Sequence, residues 1–270
     1  MPVLLKGTPM KMQMKTTSLR NLFCTALGIA AFAFTAPAMA DQSTGGTEDK
    51  GGSVTGVIKF VGEKKPRAVL QMNTDPYCAK AHKEDVLSER WVFGKADGLA
   101  NVVVQVVKGP GVDGKKFNAP NTPLIVDQVG CMYIPHVSVA MLGQKVQYKN
   151  SDATLHNVHV MPKINKEQNI GQPAKGMITD VELTKLEEAI FVKCDVHAWM
   201  TNYVHVVDHP YFAVTDGEGS FTIKGLPAGD YELKVWHEVR AFVVQDEATL
   251  KVSVKDGEAT KAALEVGPKK

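Results

Sequence analysis

The chain has 270 residues, 44% of them hydrophobic and 22% charged, with a formal charge of +2. Such a balance excludes a disordered chain, and the length accommodates one large domain or two modest ones.

Residues 1–40 read as an export signal. Lys6, Lys11, Lys15 and Arg20 form a basic, acid-free opening, an apolar run follows from Leu22 to Thr35, and APAMA ends it with Ala38 and Ala40 spaced for cleavage. The apolar run is shorter than the roughly 20 residues needed to span a bilayer. The expectation is therefore a periplasmic or secreted protein starting at Asp41, with no stable membrane span after cleavage. Of the 31 Lys and Arg, four leave with the signal, and the remaining 27 face 29 Asp and Glu, a formal charge of about −2. No basic footprint for nucleic acid results. Cys24 leaves as well, so Cys78, Cys131 and Cys194 remain. An odd count in an oxidising compartment points to one disulfide and one thiol with another task.

From Gly51 onward the pattern is β. SVTGVIKFVG alternates Val54, Val57 and Phe60 with small or polar residues, and ANVVVQVVKG is a β-branched run closed by Gly109 and Pro110. The stretch between them is irregular, with a helical turn expected near Ala79 to Glu84. Further strands are expected at TPLIVDQ, HVSVAML, KVQYKN, HNVHVM, EAIFVKC and NYVHVVD, separated by Gly, Pro, Asn or Asp. Short strands at that spacing belong to sandwiches or barrels. Beyond residue 209, YFAVTDGEGSFTIKGLPAGDYELKVWHE reads strand, turn, strand, turn, strand, and ATLKVSVKDGEATKAALEV reads as one more hairpin.

That last texture, an aromatic after a D-x-x-G turn and then GLPAGDYELKV, resembles the carboxypeptidase regulatory-like, transthyretin-related β-sandwich. Modules of that family begin with strands like GSVTGVIKF and GLANVVVQV. The resemblance implies one accessory sandwich built from residues 51–109 and 209–267, interrupted by a second domain at 110–208. A sequential arrangement, with the N-terminal strands belonging to the middle domain, is the alternative.

The middle region carries the chemistry. In FVKCDVHAWM, Cys194, His197 and Met200 share one loop at a strand end, and His156 begins HNVHV upstream. Thiolate, imidazole and thioether are the ligands that soft and borderline metals prefer, copper above all. A C-x2-H-x2-M string alone is equally consistent with core packing, because Cys and Met are common interior residues.

From about Ile134 to Val207 the chain resembles a cupredoxin, the blue type 1 copper family, in its amicyanin/plastocyanin-like branch. The resemblance implies an all-β chain, a cupredoxin Greek-key β-sandwich plus a second, transthyretin-like β-sandwich. It places the upstream imidazole on His156, the thiolate on Cys194, the second imidazole on His197 and the axial thioether on Met200. It implies copper as the cofactor and one-electron transfer between redox protein partners, docking transiently near an exposed His197 edge. Asn157 is expected to tie the two ligand segments together through Asp195. Trp199 stands either in a docking patch or as a shield.

Other readings stay open. The copper could be stored or delivered, or the chain could be a non-redox interaction module. Cys78 and Cys131 read as a disulfide, or as a zinc site with His82 and His136. His159 has the opposite strand parity to the metal face, and His205 and His209 read as surface or interdomain residues. No C-x-x-C-H for haem occurs, and no nucleophile–base pair, phosphate loop or open zinc motif, so an enzyme is not expected.

Overall fold

The computed structural model describes residues 51–239 and 249–268; the expected export signal lies outside the described residues. The all-β expectation holds. In chain order the elements begin with β1 (Gly52–Phe60), α1 (Pro76–Ala81), β2 (Val103–Lys108), β3 (Leu124–Gln128), β4 (Tyr133–Ile134) and β5 (Val137–Met141). Next come β6 (Val146–Asn150), β7 (His156–Met161), β8 (Gln168–Gln172), β9 (Ile178–Val181), β10 (Glu187–Lys193) and β11 (Thr201–Val207). The last are β12 (Phe212–Val214), β13 (Ser220–Leu226), β14 (Gly229–Trp236), β15 (Thr249–Val254) and β16 (Ala259–Val266).

These strands form four sheets. β13-β1-β16 and β12-β2-β14-β15 enclose one core, which includes Val54, Ile58, Val104, Ile223, Leu233 and Val235. β5-β11-β10-β7-β8 and β4-β3-β6-β9 enclose another, with Val126, Tyr133, Tyr148, Val158, Val192 and Val204. Alternation explains most of this placement: β6 turns Val146, Tyr148 and Asn150 inward and Gln147 and Lys149 outward. Fully burying one such aliphatic side chain contributes about 1.5–3 kcal/mol.

β5 departs from alternation because all five of its residues are buried. Val137, Val139 and Met141 join a third apolar cluster with Val103, Phe212 and Trp236, while Ala140 faces the core of the neighbouring sheets. An uninterrupted VSVAM run is what a strand covered on both faces requires.

Three sequence expectations change. The helix starts earlier, at Pro76, because Asp75 caps it by accepting from the amides of Tyr77 and Cys78 and proline suits the first turn. Polar QNIGQ and ITDV form β8 and β9 without an apolar pattern, because both lie at sheet edges with much of their length exposed. ATLKVSVKDGEATKAALEV makes no hairpin: β15 pairs with β14, whereas β16 runs parallel to β1 in the opposite sheet.

The segment between β1 and β2 positions the site. Trp91 and Phe93 pack against the core that holds β1, while Met72 and Cys78 are buried in the core of β3 to β11. Cys78 in α1 is disulfide-bonded to Cys131, just before β4. Helix α1 is thereby fastened over the loops where β7 begins and β10 ends.

Candidate metal centre

β10 delivers Cys194, and the loop after it closes on itself. The Cys194 amide donates to Met200 O at 3.1 Å, the Met200 amide to His197 O at 2.9 Å, and the His197 amide to Cys194 Sγ at 3.4 Å. β10 and β7 are antiparallel neighbours, with Lys193 opposite His159. That register brings His156, at the start of β7, beside the loop. Cys194, His156, His197 and Met200 are all buried to within 1% of full enclosure.

The donor atoms converge. His156 Nδ1 lies 3.0 Å from His197 Nδ1, and Cys194 Sγ lies 3.9 Å from the latter. A first-row metal sits about 2.0 Å from imidazole nitrogen and about 2.3 Å from thiolate sulfur, so both spans are short enough to share one ion. Met200 belongs to the same buried cluster as Cys194.

Each imidazole is held from behind. His156 Nε2 donates to Asp152 Oδ2 at 2.9 Å and His197 Nε2 to Asp75 Oδ2 at 2.9 Å. With both Nε2–H groups engaged, the two Nδ1 atoms meet in one gap beside a sulfur, at a distance that a single shared proton or a metal ion bridges. A carboxylate behind an imidazole is the support that metal-bound histidines typically have. Asp152 is itself braced: its oxygens accept from the amides of Gly130 at 2.8 Å and Cys131 at 2.7 Å. Gly130 has φ +62°, where a side chain is strained, and a Cβ there would press on the His82 ring at 2.9 Å, so glycine is favoured.

Charge follows this geometry. Burial raises the pKa of Asp75, but hydrogen bonds from His197, Thr154 and the amides of Tyr77 and Cys78 outweigh it and hold the carboxyl at about 2. Burial opposes ionisation of Cys194, yet bonds from His156 and nearby amides bring the thiol below its ordinary value. His156 is raised, because its bonds to Asp152 and Cys194 overcome burial; His197 is lowered by burial, against the pull of Asp75. These shifts bring the Cys194 thiol closer to ionising and make His197 the more readily neutral of the two imidazoles.

Asn157 ties the ligand segments together as expected. Its Oδ1 accepts from the Asp195 amide at 2.6 Å and from Cys194 Sγ at 3.3 Å, while Nδ2 donates to Asp195 Oδ2 at 3.2 Å. The Asp195 carboxylate turns outward to Lys193 Nζ at 2.9 Å and His159 Nδ1 at 2.9 Å. Those partners hold it well below the usual carboxylate range. His159 thus points away from the metal gap.

Cys78 and Cys131 form the disulfide, not a zinc site. Their sulfurs are bonded to each other, His82 Nε2 donates to Gly130 O, and His136 bonds Thr201 O and Glu238. Two further groupings lie within metal-ligand range, Asp75 with Cys78 and His197, and Cys131 with Asp152 and His156. Both depend on a disulfide sulfur, which offers no thiolate.

No protein-family model matches the chain, and no curated protein matches it. Among solved structures, it is similar to a copper-containing nitrite reductase from Thermus scotoductus SA-01, at 19% identity over 37% of this chain and 26% of that one, with a TM-score of 0.28. It is similar to a purple cupredoxin from Nitrosopumilus maritimus, at 19% identity over 31% of this chain and 98% of that one, TM-score 0.26. An oxidised mutant of amicyanin also matches, at 19% identity over 38% of this chain and 97% of that one, TM-score 0.29. The chain therefore spans about a quarter of the nitrite reductase, and all three likenesses are partial.

His197 differs from its expected setting. The sequence predicts an exposed imidazole edge, but the residue is 1% exposed. Its Nε2 faces Asp75 and lies 3.6 Å from the disulfide sulfur of Cys78, and Trp199 covers one face at a centroid distance of 5.0 Å. Trp199 acts as a shield, held by its Nε1 donating to Cys131 O. His205 and His209 are likewise buried: His205 packs on the Trp236 ring, and His209 Nε2 donates to Val106 O at 2.8 Å. Asp75 and Asp152 carried no sequence signal beyond their type, since neither belongs to the spaced motif.

Proposed function

We propose that this protein is an exported type 1 copper protein that carries one electron at a time, and that His156, Cys194, His197 and Met200 would hold the copper. The observation that carries the reading is the convergence of two aspartate-backed imidazoles on the sulfur of a buried, unpaired cysteine. Copper, when bound, supplies the one-electron capacity; the chain supplies a set of soft and borderline donors. Asp152 and Asp75 orient the imidazoles, Asn157 steadies the sulfur, and the enclosing core excludes water. No bond of a substrate is made or broken in this reading.

In the same reading residues 1–40 are a cleaved signal and the mature protein works in the periplasm or outside the cell. Among the described residues no helix is long and apolar enough to cross a membrane. Residues 110–208 are the copper domain, and 51–109 with 209–267 are an accessory, transthyretin-like sandwich. A redox protein partner meets the rim beside His197, where Val196 and Ala198 are exposed, in an encounter small enough to be brief.

A second reading follows from the burial of His197: a site closed by α1 and Trp199 also suits a protein that stores or delivers copper. Absorption, paramagnetic resonance and voltammetry of the copper-loaded protein separate the two. Electron carriage requires an intense thiolate-to-copper band, its loss in Cys194→Ala, and a reversible couple. Stoichiometric copper without that band or couple supports storage, and failure to bind copper removes both readings.

A further inference from the structure

His136, between β4 and β5, grips the strand that leaves the proposed metal loop. Its backbone carbonyl accepts from the Tyr203 amide at 2.9 Å and from Asn202 Nδ2 at 3.1 Å. Its ring Nδ1 donates to Thr201 O at 3.1 Å. Thr201 follows Met200 directly and stands opposite Lys193, so this pair is the neck of the loop that carries Cys194, His197 and Met200.

The other side of the His136 ring is held from a different sheet. Nε2 donates to Glu238 Oε1 at 2.6 Å, and Glu238 follows β14, a strand of β12-β2-β14-β15. A carbonyl and an ionised carboxylate only accept, so both ring nitrogens carry protons and the ring is an imidazolium. The pair is enclosed, its side chains 5% and 8% exposed, and Glu89 Oε2 adds a second carboxylate 3.9 Å from Nδ1. The bond to Thr201 is therefore charge-assisted, about twice as strong as a neutral one. Trp236 of β14 packs on the Tyr203 ring at 5.2 Å and on His205 at 4.5 Å, so the end of β14 is seated on β11 itself.

We propose that Glu238 and His136 are positioning residues of the candidate metal centre: Glu238 fixes the His136 ring, and the ring fixes the Thr201 carbonyl and with it the stem that presents Met200. Resting on the proposed ligand set, this role makes the sheet of β14 part of its support. Lys234 of the same strand bonds Glu188 at 2.8 Å, at the end of β10 away from the loop, and supplies a control contact.

Hydrogen exchange of the metal-free full chain, followed at the Cys194 and Met200 amides that close the loop, tests this. In Glu238→Ala both are expected to exchange about fivefold faster, the difference between a charge-assisted and a neutral hydrogen bond. The amides of Val126 and Tyr148, in the opposite sheet, are expected to keep their rates, and Lys234→Ala is expected to leave the loop unaltered. In the copper-loaded protein the thiolate-to-copper band is expected to shift in Glu238→Ala and not in Lys234→Ala. Unaltered loop exchange overturns the proposal, as does equal acceleration at Val126 and Tyr148, which marks a general loss of stability. An equal effect of Lys234→Ala, or an unshifted band where the parent shows one, also overturns it. A parent without that band counts against the copper reading alone, since exchange in the metal-free protein still decides the positioning role. The double variant His136→Phe with Glu238→Leu leaves neither partner of the ion pair behind; it carries the same expectations, so the test stands even if Glu238→Ala does not fold.

Discussion

Asp75 Oδ2 lies 2.9 Å from Nε2 of His197, although the first belongs to the cap of α1 and the second to the loop between β10 and β11. The same carboxylate uses Oδ1 to accept from the Tyr77 amide at 2.7 Å. One side chain therefore begins a helix and orients an imidazole, so the segment between β1 and β2 is part of the candidate metal centre although it contributes none of the four proposed ligands.

Removing that carboxylate should loosen the metal without emptying the site. Asp75→Ala is expected to lower copper affinity about 10–100-fold, the usual consequence of losing a partner behind a metal-bound histidine. Asp75→Asn keeps a good helix cap and should restore stability more fully than affinity. Competition with a copper chelator, beside thermal unfolding, reads the two effects separately; unchanged affinity in both variants would contradict the assigned role.

The disulfide should contribute mainly through the unfolded chain. Cys78 and Cys131 are 53 residues apart, and closing a loop of that size is worth about 4 kcal/mol by chain entropy. Paired Cys78→Ser and Cys131→Ser substitutions should lower the urea midpoint accordingly. Solvent access to His197 should rise as α1 comes free, measurable as faster modification of that imidazole.

Asn157 stands between the two ligand segments with both ends of its amide engaged. Asn157→Ala leaves the partly buried Asp195 amide without its 2.6 Å acceptor, a loss of about 1 kcal/mol. Denaturant unfolding gives the cost. In the copper-loaded protein the thiolate band should shift, because the Asp195–Asn157 bond also holds the neighbouring Cys194 in place.

Acid should destabilise the fold through histidines that take no part in the proposed metal set. Burial pushes His205 down to about 3 and His237 down to about 4. Both stay neutral in the folded state, while in the unfolded chain they take up protons below about 6.5. The unfolded state therefore binds more protons as pH falls, and stability should drop from about pH 6.5 towards pH 4 by up to about 1.4 kcal/mol per pH unit for each histidine. His205→Phe, which cannot titrate, should flatten the slope by one histidine's share; urea melts at several pH values between 7 and 4.5 supply the comparison.

Legibility in the sequence followed the range of the interaction. The strands with apolar alternation or β-branched runs, β1, β2, β3, β5, β6, β7, β10 and β11, were readable because a period of two is a local property. β8 and β9 were not, since edge strands owe their place to a neighbour's free hydrogen-bonding groups and not to their own apolar pattern. DGEG and GLPAGD marked turns correctly, but a turn does not say whether the next strand stays in its sheet. At the β15–β16 turn the chain instead crosses to the other side of the core, because β16 finds its partner in β1, far away in sequence.

The sequence by itself determined the donor types and their grouping. Cys194, His197 and Met200 share one loop because their spacing is covalent, and the three cysteines beyond residue 40 cannot all pair with one another. Only the tertiary structure decided what stands behind and around those donors. Asp75, Asp152 and the Cys78–Cys131 bridge reach the site through the packing of α1 on the core of β3 to β11, and that packing buries the very imidazole expected at the surface. Chain separation hides such contacts from sequence patterns, because they depend on which apolar faces find each other, and no local period records that choice.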